Sequence, residues 1–170
     1  IIESLVADEF DIVTCQEMLV DHAFTIPMAL LWPEQRWPVR TIPVCVNTVQ
    51  APLPSASRCY RLGEAIGRAI ESWDTEERVV VIGTGGLSHQ LDGTRAGFIN
   101  KAFDQKFMDS LVDDPGWATQ YSTLDLVELA GTQRELRRGR EGVVVVVQLL
   151  AADQHAPGHD IAGCVVALEV

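Results

Sequence analysis

The stretch "RVVVIGTGGLSHQLDG", residues 78–93, decides the fold class. Its consecutive aliphatic residues Val79 to Ile82 suit a central strand covered on both faces. The strand runs into Gly83, Thr84, Gly85 and Gly86, and His89 follows three residues later. A parallel α/β sheet binds its ligands beyond the carboxyl ends of its strands, and "GTGGLSHQ" holds such a place. Glycine permits positive φ and lets a ligand approach the backbone, so Gly85 and Gly86, with the adjacent Ser88, are expected to border a substrate. An imidazole exchanges a proton near neutral pH, which makes His89 a candidate general acid or base. A structural, hydrogen-bonded histidine is the competing reading. A phosphate cradle fits less well, because the P-loop lysine and the GxGxxG spacing are both missing.

On either side of this stretch, helices alternate with strands. Ile2, Leu5 and Val6 have helical spacing and lead into "FDIVTCQ", residues 10–16, a short strand by pattern. "VRTIPVCVN", residues 39–47, is a second strand, with Pro43 pointing to an edge or irregular position. After the proline-rich loop "APLPSAS", where Ser55 or Ser57 can cap, Leu62, Ala65, Ile66, Ala69 and Ile70 mark the buried face of a helix. "RAGFINKAFDQKFMDSLV", residues 95–112, is an amphipathic helix with Phe98, Ala102, Phe103, Phe107 and Leu111 on one side, ended by "DDPGW". "STLDLVELAG" is a further helix, capped by Ser122 or Thr123 and closed by Gly131. "AGCVVALEV", residues 162–170, is a last strand. This alternation predicts an α/β protein, a layered α/β/α sheet in a single catalytic-type domain over residues 1–170.

Composition bounds the function. A chain of 170 residues with 47% hydrophobic and 22% charged residues can bury a real core. A net charge of −11 argues against nucleic acid or an anionic membrane as partner. The longest apolar run, Val143 to Ala152, is about half the roughly 20 residues of a membrane span. Cys15, Cys45, Cys59 and Cys164 are widely spaced without CxxC, as expected of reduced thiols in a cytoplasmic protein. The opening "IIESLVADEFDIV" has no initiator methionine and begins within a helix, so the chain is expected to be the C-terminal piece of a longer subunit, incomplete at its N-terminus.

Segment 134–155 is anomalous. "QRELRRGREG" places four of thirteen basic residues within seven positions, and five valines follow. A solvated basic helix followed by a strand is one explanation; a frame disturbance or divergent segment is the other. Among further polar candidates, His22 in "MLVDHAFTIP" follows the first short strand and would reach the same sheet edge as His89 if the two strands lie close. Asp21 would orient it or serve as a turn residue. His155 and His159 have i, i+4 spacing, but Pro157 and Gly158 between them oppose a helical metal pair. A carboxylate joining two histidines would complete a facial triad for non-haem iron, and Glu128, Glu135 and Glu141 are equal candidates on pattern alone.

"DHAFTIPMALLW", "VNTVQAPLPSASRCYRLGEAIGRAIES", "GTGGLSHQLDGTRAGFINKAFDQKFMDSLVDDP" and "LVELAGTQ" together resemble the class III extradiol ring-cleavage dioxygenases, over about residues 3–133. Within that family they look most like the catalytic, beta-type chain of the protocatechuate branch. The resemblance implies meta cleavage of a catecholic aromatic acid such as protocatechuate by Fe(II) and O₂. It gives His89 the role of acid/base histidine toward the catecholic hydroxyl and His22 that of a second histidine bonding to substrate or bound oxygen. Glu135 takes the glutamate ligand role, one residue out of the family's register, with the two histidine ligands expected in a preceding segment. A small alpha-type subunit and an oligomer are implied as partners. A catalytically silent scaffold or binding subunit of the same fold is the alternative.

Overall fold

The computed structural model describes residues 1–20, 22–34, 36–47, 52–90, 93–131 and 145–153, the last as backbone. Its elements are α1 (Ile2–Ala7), α2 (His22–Leu31), β1 (Arg40–Val46), α3 (Ala56–Glu71), β2 (Glu77–Thr84), α4 (Lys101–Asp113), a 3₁₀ turn (Trp117–Gln120), α5 (Thr123–Ala130) and β3 (Val145–Asp153). The protein is thus mixed α/β. Its contacts divide into two units. The first holds Ile1–Cys45, Arg61–Thr84 and nearly all of β3, and the second holds Val46–Tyr60 and the described residues from Gly85 to Gly131.

In the first unit, the described strands form one sheet of order β1-β3-β2. β2 and β3 run antiparallel, in register from Glu77 opposite Asp153 to Thr84 opposite Val146. Among the described strands, β2 therefore lies at an edge of the order and its neighbour β3 is antiparallel, where a central strand of a parallel sheet was expected. An aliphatic run reports that both faces are shielded, and says nothing about which strand pairs or in which direction. Val79 to Ile82 are half-buried, and only Thr84 at the strand end is fully buried. Among the described strands β1 also lies at an edge, where Pro43 is tolerated because its missing N–H removes no ladder bond from a central strand.

Helix α3 covers this sheet with the face its spacing announced. Ala65, Ile66 and Ala69 are buried. Ala65 and Ile66 form a core with Leu5 of α1, against which Val44, Leu62, Ile70 and Val81 pack. Phe10 and Ile12 join the same core, yet residues 10–16 form no strand. The alternation of Phe10, Asp11 and Ile12 survives as alternating burial without a sheet ladder, because α1 ends by turning the chain directly across the core. The Glu9 N–H donates to Val6 O (3.1 Å) and the Phe10 N–H to Leu5 O (3.0 Å), with Glu9 left-handed at φ 65. That is a Schellman ending, with glutamate where glycine is usual.

In the second unit, α4 begins six residues later than its apolar spacing suggests, at Lys101. Gly97, at φ 83, breaks the helical path, and residues 94–97 turn instead. Asn100 is the N-cap and accepts from the Phe103 N–H at 3.1 Å. Phe103 and Phe107 then meet Ala118, Leu126 and Ala130 in a core flanked by Leu111, Trp117 and Tyr121, while Ala102 stays exposed. The helix stops before Pro115, as "DDPGW" predicts. At the start of α3, Ser55 Oγ accepts the Arg58 N–H, so Ser55 is the capping serine.

Helix α5 has the two ends its sequence announced. Ser122 Oγ accepts the Asp125 N–H (3.2 Å) while Asp125 accepts the Ser122 N–H (3.2 Å), a complete capping box. Gly131 closes the helix at φ 71. A Cβ there would come within 3.5 Å of Asn100 Nδ2 and 3.6 Å of the Phe98 ring.

No described helix is long and apolar enough to cross a membrane. Cys15, Cys45 and Cys59 are thiols, not disulfide halves. Burial pushes the Cys59 thiol up, against the weaker pull of Arg58, so it stays protonated and a poor nucleophile. Of the anomalous segment, residues 145–153 form β3, in line with a strand in the valine-rich run; residues 134–144 and the expected strand 162–170 lie outside the described residues.

Three measurements test this packing. Phe107→Ala empties a site only 1% exposed and should cost roughly 3–5 kcal/mol in urea unfolding. Gly131→Ala forces an L-residue into the left-handed region and should cost about 1–2 kcal/mol. The Ser122 hydroxyl and N–H hold the Asp125 carboxyl below the ordinary aspartate value. A lowered folded-state pKa adds stability above the unfolded pKa and loses it as pH falls through the folded one. Ser122→Ala should therefore lower the melting temperature at neutral pH, with the gap to wild type closing in acid.

Candidate functional site

β2 delivers the chain into the turn that carries His89. Gly85 leaves the strand at φ 152, a backbone conformation that L side chains rarely adopt. From there Gly86 and Leu87 lead to Ser88, which is 2% exposed. His89 itself is half-buried, and Gln90 is buried again.

The residues flanking His89 are tied down on both sides. The Ser88 N–H donates to Asp104 Oδ1 in the first turn of α4 at 2.9 Å. Ser88 Oγ accepts the Asn100 N–H at 2.8 Å. The Gln90 N–H donates to Phe98 O (3.1 Å), and Gln90 O accepts the Gly97 N–H (2.8 Å). These bonds settle polar groups that would each cost about 1–3 kcal/mol if buried unmade.

His89 Nδ1 lies 3.0 Å from Leu87 O. A carbonyl only accepts, so Nδ1 carries the proton in this arrangement and Nε2 is the basic nitrogen of the neutral ring. A general base needs such an oriented ring, with a defined nitrogen at which the neutral form accepts a proton.

The same loop grips the far end of α5. Asn100 Nδ2 donates to Ala130 O (3.1 Å) and Leu129 O (3.4 Å). The Arg95 guanidinium donates to Gly131 O at 2.8 Å and lies 3.9 Å from the centre of the Phe98 ring. A cation at a helix C-terminus satisfies the orphan carbonyls and opposes the negative end of the dipole.

Of the residues expected to carry chemistry, Gly85, Gly86, Ser88 and His89 are brought together on this one turn. His22 belongs to the first unit, as the exposed first residue of α2. The strand expected to precede it does not form, so its placement follows from the helix start. Asp21, Glu135, His155 and His159 lie outside the described residues. Among the described residues, no group of three His, Cys, Asp or Glu side chains is arranged to hold a metal ion. Arg95, Asn100 and Asp104 escaped the sequence reading. Asn100 had a signal, an N-cap residue three places before Phe103; the Arg95 contact, 36 residues away along the chain, had none.

Comparison with known proteins places this turn in context. Gallate dioxygenase of Pseudomonas putida is 42% identical over 132 residues, 77% of this chain and 39% of that protein. Two proteins named 2,3-dihydroxyphenylpropionate/2,3-dihydroxicinnamic acid 1,2-dioxygenase also match. The one from Photorhabdus laumondii is 40% identical over 90 residues, 52% of this chain and 27% of that protein. The one from Klebsiella pneumoniae is 44% identical over 81 residues, 47% of this chain and 24% of that protein. The matches thus span well under half of these relatives' length, and none of the three is named for protocatechuate. Residues 1–156 match the family described as the catalytic LigB subunit of aromatic ring-opening dioxygenase, and the chain belongs to that family.

Proposed function

We propose that this chain is part of the catalytic subunit of an extradiol dioxygenase, and that His89 is its acid/base histidine. The observation that carries this is the His89 ring, pinned through Nδ1 to Leu87 O on a turn whose neighbours are buried and bonded, so that Nε2 is the basic atom. Nε2 takes the proton of a catecholic hydroxyl, which makes the substrate oxygen anionic, and can later return a proton to the opened product. Gly85 and Gly86 leave room for a planar ring beside the backbone. Ser88 serves the substrate by holding the shape of the turn, since its hydroxyl and amide are both engaged inside the protein.

The substrate is a catechol bearing a carboxylate. The relatives' names supply gallate and dihydroxyphenylpropionate as instances, and the sequence motifs suggest protocatechuate. The metal implied by the resemblance is Fe(II), which would supply a centre for the two catecholic oxygens and O₂. The described residues do not assemble a site for it, and the proton transfer at Nε2 needs only this chain's own residues. We assign Glu135 as one ligand, with the histidine ligands and the rest of the layered α/β domain supplied by a longer polypeptide. His22 is proposed to bond to substrate or oxygen. A small alpha-type subunit, an oligomeric assembly and a cytoplasmic setting belong to the same proposal.

The test uses the full-length subunit containing this sequence, reconstituted anaerobically with Fe(II). Gallate, protocatechuate and 2,3-dihydroxyphenylpropionate are offered in turn, and O₂ uptake is followed with the absorbance of the ring-opened product. One O₂ should be consumed per catechol. His89→Gln should lower kcat by roughly a hundred- to ten-thousandfold. An unchanged rate in that variant would remove the acid/base assignment.

A further inference from the structure

One side chain lies at the centre of the hydrogen bonds that hold the His89 turn. The Asn100 N–H donates to Ser88 Oγ (2.8 Å), and Asn100 Oδ1 accepts the Phe103 N–H (3.1 Å). Its Nδ2 donates to Ala130 O (3.1 Å) and Leu129 O (3.4 Å). One residue thereby links the turn next to His89, the N-terminus of α4 and the C-terminus of α5. Asp104, one helical turn into α4, adds the bond to the Ser88 N–H.

We propose that Asn100 is a positioning residue for His89: it locks the register among the Ser88–His89 turn, α4 and α5, and that lock keeps the imidazole on Leu87 O. The proposal rests on the acid/base role of His89 argued above.

Capping alone does not explain the residue. An N-cap needs only a side-chain oxygen, which aspartate, serine or threonine supplies as well. The bonds to Ala130 and Leu129 need a donor on the same side chain, and among the capping residues asparagine supplies donor and acceptor in one rigid group. Asn100→Asp separates the two functions. The carboxylate keeps the acceptor for the Phe103 N–H, loses the donor, and sets a negative charge against the negative end of the α5 dipole. The chain of contacts is short. Asn100 holds Ser88, Ser88 adjoins His89, and the His89 ring returns to Leu87 on the other side of Ser88.

The experiment compares wild type, Asn100→Asp, Ser88→Ala and His89→Gln in the full-length subunit. In metal-free protein with ¹³C,¹⁵N-labelled histidine, NMR reads the His89 tautomer. Wild type should show the Nδ1–H form, and Asn100→Asp a mixture shifted toward Nε2–H, the form that free imidazole side chains prefer. In Fe(II)-reconstituted protein, Asn100→Asp should lower kcat by roughly tenfold to a hundredfold, the scale of an ångström-sized misplacement. KM for the catechol should move far less than kcat. A residue with a purely structural role would lower the melting temperature and leave tautomer and kcat per folded molecule as they are.

Wild-type rates in Asn100→Asp with the tautomer unchanged, while His89→Gln is inactive, would overturn the positioning role and leave the acid/base role intact. Wild-type rates in His89→Gln would overturn the acid/base role itself, and the positioning role with it. A wild-type ring found in the Nε2–H form would overturn the positioning role, and Nε2 as the basic atom with it. If Asn100→Asp does not fold, Ser88→Ala decides, because it deletes only the acceptor of the Asn100 amide. It should shift tautomer and kcat in the same direction by less, and no shift in either would overturn the proposal.

Discussion

Helix ends have opposite needs. An N-terminus has N–H groups without acceptors, and a C-terminus has carbonyls without donors. Asn100 answers both at once, its oxygen toward Phe103 at the start of α4 and its nitrogen toward Leu129 and Ala130 at the end of α5. A carboxylate or hydroxyl could satisfy the first, and a cationic side chain the second. The amide satisfies both with a single planar group, and its backbone N–H closes onto Ser88. Much of the second unit depends on this junction. The aromatic core of Phe103 and Phe107 hangs from α4, Leu126 and Ala130 come from α5, and the turn that carries His89 is fastened between them.

The chemistry follows from that fastening. Glycines at the end of β2 give the chain freedom to leave the strand, but freedom alone would let a histidine wander. Here the unusual backbone is that of Gly85, at φ 152, and each residue next to His89 is bonded on its own account, Ser88 to Asp104 and Asn100, Gln90 to Gly97 and Phe98. A glycine exit from the strand followed by a bonded platform holds the His89 ring nitrogen on Leu87 O. Function in loops commonly depends on such rigidity borrowed from the scaffold.

The legible features were mostly local. Ser55 or Ser57, Ser122 or Thr123, and Gly131 announced helix ends through capping chemistry that acts within four residues, and the structure uses Ser55, Ser122 and Gly131. The apolar face of α3 was readable because Leu62, Ala65, Ile66, Ala69 and Ile70 repeat at helical spacing over about two and a half turns. Less legible was anything set by a distant partner. Val79 to Ile82 declared a shielded strand but not that β3 would lie beside it antiparallel. Phe10 and Ile12 alternate as a strand would, and bury as one would, without a ladder. The spacing of Phe98 with Phe103 and Phe107 carried the α4 helix too far back, since a left-handed Gly97 can bring an aromatic ring to the same region without helix. For the site, the glycine turn and His89 were visible in sequence, whereas the contacts of Arg95 with Gly131 and of Asn100 with Ala130 join positions thirty or more residues apart.

The ending of α5 has a consequence for inheritance. Every group described as terminating that helix lies at or before Gly131: the left-handed glycine itself, the Asn100 amide and the Arg95 guanidinium. Insertions, deletions or a shifted frame after Gly131 would therefore leave each of these bonds its donor and its acceptor. The bonds that fasten the His89 turn to α5 thus stop at a sharp boundary in the sequence, and the unusual "QRELRRGREG" begins just two residues beyond it.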